Sequence, residues 1–200
     1  MKRLLPLFCI LVILLASAGV ASADKPLPDQ FTITGYTTSY TFDTLPNGRT
    51  SFHVIARGGN DAAYDLYCGG LAAQFPPGTP GSTATTCHEL CVGVTGQACG
   101  VAGEIFSGEF TFEEWGEVDL NPLTGEGSGK GKNDGIVTLI MPSGQAQVDF
   151  KGKTDSVNVW GNWQLQKKDG TGSYTDLKGQ GDYTGNAGLV FTVKFEGKVH

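Results

Sequence analysis

The sequence predicts an all-β protein, an antiparallel up-and-down β-barrel of about eight strands with a disulfide-stapled loop insertion. Three observations carry that prediction. Apolar and polar residues alternate with period 2 through several segments. Short turns rich in Gly, Asn and Pro separate those segments. Apolar residues at helical spacing are nearly absent, so crossover helices are not expected and neighbouring strands should run antiparallel.

Residues 1–23 read as a secretory signal peptide. Lys2 and Arg3 form a positive start, residues 4–15 an apolar run too short to span a bilayer, and Ala21, Ser22 and Ala23 a small-x-small cleavage pattern. The expected cut lies between Ala23 and Asp24. Cys9 lacks the small-residue context of a lipid-attachment site. Residues 24–200 then form one barrel domain, with no transmembrane segment left and a secreted or periplasmic location. The formal charge of the whole chain is −6, and loss of Lys2 and Arg3 makes it more negative still. That balance argues against nucleic-acid and anionic-membrane partners, which need basic patches.

The elements follow in order. Residues 31–42, FTITGYTTSYTF, are rich in Thr, Tyr and Phe and read as a strand. Residues 45–50 turn, with Asn47-Gly48 supplying positive φ, and 51–56 return as the partner strand. Residues 58–100 break the pattern. The stretch FPPGTPGSTATT (75–86) favours loop, and Cys68, Cys87, Cys91 and Cys99 all fall within this segment. Four cysteines behind an export signal imply two disulfides, with three pairings open. A metal site at CHELC (87–91) is the rejected alternative, because the spacing lacks a CxxC knuckle and the compartment favours oxidation. Metal and cofactor are therefore both read as none.

Beyond the excursion, Phe106, Phe110 and Phe112 alternate with Ser107, Thr111 and Glu113. The stretch GEGSGKGKNDG (125–135) lacks the Walker spacing and a following helix, so it is not a phosphate loop. Gly125, Gly127, Gly129 and Gly131 instead have strand period, and Asn133-Asp134-Gly135 reads as a turn into the apolar strand IVTLIM (136–141). Residues 145–151, 157–165 and 189–197 alternate as three further strands.

The stretch GTGSYTDLKGQGDYTG (170–185) follows a Trp-bearing strand and precedes the last alternating one. It resembles the closing part of allene-oxide-cyclase-like barrels, a group that includes plant allene oxide cyclases, dirigent proteins and small secreted bacterial proteins of unknown function. The resemblance spans residues 106–197. It implies an eight-stranded antiparallel barrel whose apolar interior holds a small hydrophobic molecule. Gly170, Gly172, Gly179 and Gly181 would allow tight turning, and Tyr174, Leu177 and Tyr183 would plug or line the barrel. No catalytic motif of that group is matched.

Among single residues, Glu114 is the catalytic candidate. It is in phase with Phe106, Phe110, Phe112, Val118 and Leu120 if the strand is continuous, and a carboxylate on an apolar face has a raised pKa. The competing and expected geometry is a bulge at Glu113-Glu114-Trp115 that turns Glu114 outward. Trp160, Trp163 and Tyr174 are the ligand-binding candidates, Trp160 because a tryptophan on a polar face can stack on a flat ligand. The expected partner is a small hydrophobic ligand. The function read from these residues is non-catalytic binding of such a ligand, or an interaction module. The alternatives are a cyclase- or isomerase-like enzyme and a surface adhesin using residues 58–100.

Overall fold

The computed structural model describes residues 27–121, 126–155 and 157–200. The expected leader and its cleavage point before Asp24 lie outside them. The described residues form nine strands: β1 (Leu27–Thr44), β2 (Thr50–Gly58), β3 (Gly100–Gly103), β4 (Glu109–Val118), β5 (Gly131–Met141), β6 (Gly144–Thr154), β7 (Asn158–Leu165), β8 (Gly179–Asn186) and β9 (Val190–Val199). Eight of them close an antiparallel barrel in the order β2-β4-β5-β6-β7-β8-β9-β1, and β1 pairs back onto β2.

The closure depends on the length of β1. Residues 27–36 pair with β9, and residues 36–44 pair with β2. A bulge between Thr37 and Ser39 marks the change of partner, which bends the strand as an extra residue in a ladder does. Below the bulge, the edge of β1 that β2 does not reach is taken by the short β3, through Phe31–Thr34. The expected turn at 45–50 is present, with Gly48 at φ 79°.

Inward residues of the lower half fill the lumen with aromatic rings. Phe31 stacks on Phe195 at 4.7 Å, and Tyr183, Phe150, Phe112 and Phe191 continue the series with centroids 5.2–5.9 Å apart. Phe106 and Trp163 pack edge-on to Phe31. Each fully buried side chain of this kind contributes roughly 1.5–3 kcal/mol from removed apolar surface, so this half of the barrel is a solid core.

Two expectations are corrected. The excursion at 58–100 is not a plain loop, because it folds into helix α1 (Asp65–Ala72) and helix α2 (Cys87–Thr95). Thr86 caps α2 by accepting from the Glu89 N–H, and the Glu89 carboxylate accepts from Thr85 N–H at 2.8 Å. Cys68 is bonded to Cys87 and Cys91 to Cys99, so the first bridge staples α1 to α2. The helices cover the outer face of the β1 bulge, where Leu71, Leu90 and the cysteines bury Tyr36 and Val190. The second correction is the start of β5. Residues 126–130 are a turn folded onto Asp119, with Gly129 N–H donating to Asp119 O at 2.8 Å, and the strand begins at Gly131. Asn133, Asp134 and Gly135 are therefore strand residues, in register with Gly116, Trp115 and Glu114.

Candidate functional site

Above the aromatic fill the barrel is hollow. At the end where β1 passes from β9 to β2, a cavity of ≈ 350 Å³ opens as the mouth of the barrel. Its walls are apolar, with Phe52 and Val54 from β2, Phe112 from β4, and Leu189, Phe191 and Val193 around the start of β9. Tyr40 and Phe42, on the part of β1 beyond the bulge, stand exposed at its rim. The stapled insertion braces the same rim. Tyr67 O–H on α1 donates to Thr37 O at 2.8 Å, while Thr37 N–H and Oγ1–H donate to Leu189 O and Gly188 O.

Glu114 is the one carboxylate among the described residues that line the cavity. The expected outward bulge does not exist. The ladder Val54↔Glu114↔Gly135 is unbroken, so Glu113 and Trp115 face out and Glu114 faces in. The outward neighbours have their own support. Trp115 stacks on His53 at 5.5 Å, and His53 Nε2 meets Glu113 Oε1 at 2.8 Å.

Glu114, half-buried at the cavity wall, heads a polar chain that runs into the core. Asn133 Nδ2–H donates to Glu114 Oε1 at 2.6 Å, and Tyr183 O–H donates to Asn133 Oδ1 at 3.2 Å. Register explains the reach. Gly116, Asn133, Gly152, Gly161 and Tyr183 are successive cross-strand partners from β4 to β8. The two glycines leave a bare path along which Tyr183 lies, and a Cβ at Gly152 would collide with its hydroxyl. Burial pushes the Glu114 carboxyl up from 4.5 to about 7; the Asn133 hydrogen bond opposes the rise and the negative Asp134 adds to it. The Tyr183 phenol is also pushed up, chiefly by burial, against the Asn133 hydrogen bond and with the charges of Glu114 and Asp134. A carboxyl poised near neutrality in an apolar recess can give or take a proton, or anchor one polar atom of a ligand.

The other candidates stand elsewhere. Trp163 is buried in the aromatic core, its Nε1–H donating to Glu196 O at 3.2 Å. Trp160 lies on the outer face of β7, 39% exposed, between Lys153 and Thr184. Tyr174 packs against Phe106 at the base, its hydroxyl accepting from Ser143 Oγ at 3.1 Å. None of the three lines the mouth cavity. Asn133 escaped sequence reasoning because Asn-Asp-Gly imitates a turn. The available signal was phase, since Asn133 falls on the same parity as Gly135, Val137, Leu139 and Met141.

No known protein family matches this sequence, and no curated protein is significantly similar to it. What stands of the resemblance at 170–185 is the eight-stranded antiparallel barrel itself.

Proposed function

We propose that this is an exported β-barrel that binds a small, largely apolar molecule in its mouth cavity, with one polar atom of the ligand against Glu114. The observation that carries the reading is the division of the lumen. Its lower half is packed with aromatic rings, while its upper half is an apolar recess that holds one carboxylate among the described residues. Preformed cavities of this size and lining, with few convergent polar groups, are the usual form of small-molecule sites. Two disulfides and the leader-like residues 1–23 support an oxidising destination.

Ala187→Trp tests the reading. Ala187 is exposed on the turn between β8 and β9 and lines the mouth, so a large ring there blocks the recess without entering the core. Titration with the neutral dye Nile red should give a fluorescence rise with the native protein and none with Ala187→Trp at an unchanged melting temperature. Equal dye binding by both proteins would refute the assignment.

A second reading has its own observation, the Glu114–Asn133–Tyr183 chain. Such an arrangement suits an isomerase or cyclase that moves a proton on a bound apolar substrate. Glu114→Gln should then abolish turnover while leaving binding intact.

A further inference from the structure

The hydrogen bonding of Glu114 constrains the polar end of the ligand. Oε1 is occupied, because Asn133 Nδ2–H donates to it at 2.6 Å. The Asn133 amide is held in that orientation by Tyr183, whose O–H donates to Oδ1. Turning the amide over would set its carbonyl oxygen against the carboxylate and its NH2 against the phenol hydrogen. Asn133 and Tyr183 are 2% exposed, so water does not substitute for either contact. Among the described residues Oε2 has no hydrogen-bond partner, and Glu114 lines the cavity.

The charge around that oxygen is one-sided. The described residues lining the cavity include no Lys, Arg or His. On β2 the partner of Glu114 is Val54, and on β5 its neighbours are Gly135 and the neutral Asn133. The one further charge that bears on it is the negative Asp134, with the neutral phenol of Tyr183 behind Asn133. The whole chain is acidic, at −6, which draws cations rather than anions toward the surface.

A carboxylate or phosphate on a ligand would therefore meet like charge and no compensating cation. An alcohol would supply one neutral donor. An ammonium group would supply a donor and the missing positive charge together, in an apolar setting where both count for more than in water. We infer that the mouth cavity is a site for an apolar molecule bearing a single protonated amine, its ammonium hydrogen-bonded to Glu114 Oε2. This inference rests on the ligand-binding reading above.

The test compares three ligands of one chain length by isothermal titration at pH 8 with the fully oxidised protein: 1-octylamine, 1-octanol and octanoate. The amine should bind roughly ten-fold tighter than the alcohol, the difference between a charge-assisted and a neutral hydrogen bond, and octanoate weakest. Glu114→Gln should erase the amine preference, bringing octylamine and octanol to within about two-fold of each other, since the two then differ by no charge-assisted bond. Equal affinities, preference for octanoate, or an amine preference that survives Glu114→Gln would each overturn the amine assignment and leave the ligand-binding reading standing. No binding of any of the three by the native protein would overturn both. Should Glu114→Gln fail to fold, proton release on octylamine binding to the native protein replaces it. At pH 7 the ion pair should expel about half a proton per amine bound, measured from titrations in buffers of different ionisation enthalpy. Absence of release would overturn the assignment.

Discussion

Replacing Glu114 with Gln should change how stability depends on pH, and the structure sets the size of the change. In the native barrel the carboxyl titrates near 7, and in the unfolded chain near 4.5. Below 4.5 both states hold the proton and the group is neutral to stability. Between 4.5 and 7 the unfolded chain gives its proton up while the native state keeps it, so stability falls as pH rises. Above 7 the full penalty is present. A gap of that width at about 1.4 kcal/mol per pH unit amounts to about 3 kcal/mol. Gln keeps the acceptor for Asn133 and cannot ionise, so the variant lacks this loss. Urea unfolding monitored by tryptophan fluorescence, with disulfides intact, should show the two proteins matched near pH 4.5. By pH 8 the variant should be ahead by about 3 kcal/mol, or some 6–12 °C in melting temperature for a chain of this size. Asp29 is also buried with its carboxyl pushed up by burial, but it is common to both proteins and cancels in the difference. Parallel stability profiles from pH 4.5 to 8 would refute the claim that the cavity desolvates Glu114.

Three other perturbations probe the same construction. Tyr183→Phe removes the hydroxyl that orients Asn133, and chemical denaturation should report a loss of about 1 kcal/mol, with an unchanged midpoint contradicting the buried hydrogen bond. Gly152→Ala places a methyl against Tyr183 and the Trp160 carbonyl, and should cost about 1–3 kcal/mol with shifted Tyr183 ring resonances in the NMR spectrum; a silent substitution would show that Tyr183 does not lie along the bare strand. Cys68→Ser with Cys87→Ser unlinks α1 from α2. The chain-entropy argument gives about 3 kcal/mol for a loop of roughly this length, and Nile red affinity should fall with it, because Tyr67 no longer fixes Thr37 at the rim; unchanged dye binding would separate the insertion from the site.

The barrel was legible because its evidence is local and repeated. Val148 and Phe150, then Val159, Trp163 and Leu165, alternate inward along strands whose partners are the next in sequence. The insertion was not legible as helices for an equally physical reason. Helices of eight and nine residues present less than three turns of pattern, and cysteines supply much of their buried face, leaving Leu71 and Leu90 as the one buried leucine of each. The Thr86-x-x-Glu89 capping box was the readable sign. At the site, Glu114 was visible by phase, yet the adjacent Glu113 and Trp115 made a bulge look natural. What decides its direction is the cross-strand ladder to Val54 and Gly135, and His53 giving Trp115 and Glu113 a reason to face out. Asn133 shows the same override, a turn-like tripeptide held in a strand by partners on both sides. The disulfide pairing depends on how α1 and α2 dock, which spacing alone does not carry.

The division of β1 between two partners has a kinetic consequence. Leu27 pairs with Val199 and Tyr36 with Val190, so the first strand of the sheet is completed by the last. A chain growing from its N-terminus can zip β4 to β5 and onward by short hairpins, but β1 must keep one edge open until β9 has emerged. Such distant pairing pays its loop entropy before it gains contacts, which makes the final seam the slow step of folding. The early hairpin of β1 with β2 and the two crosslinks of the insertion can form before that seam, and they hold the bulge at Thr37 ready to receive Leu189. The same joint that opens the mouth in the finished barrel is then the last place where the molecule becomes whole.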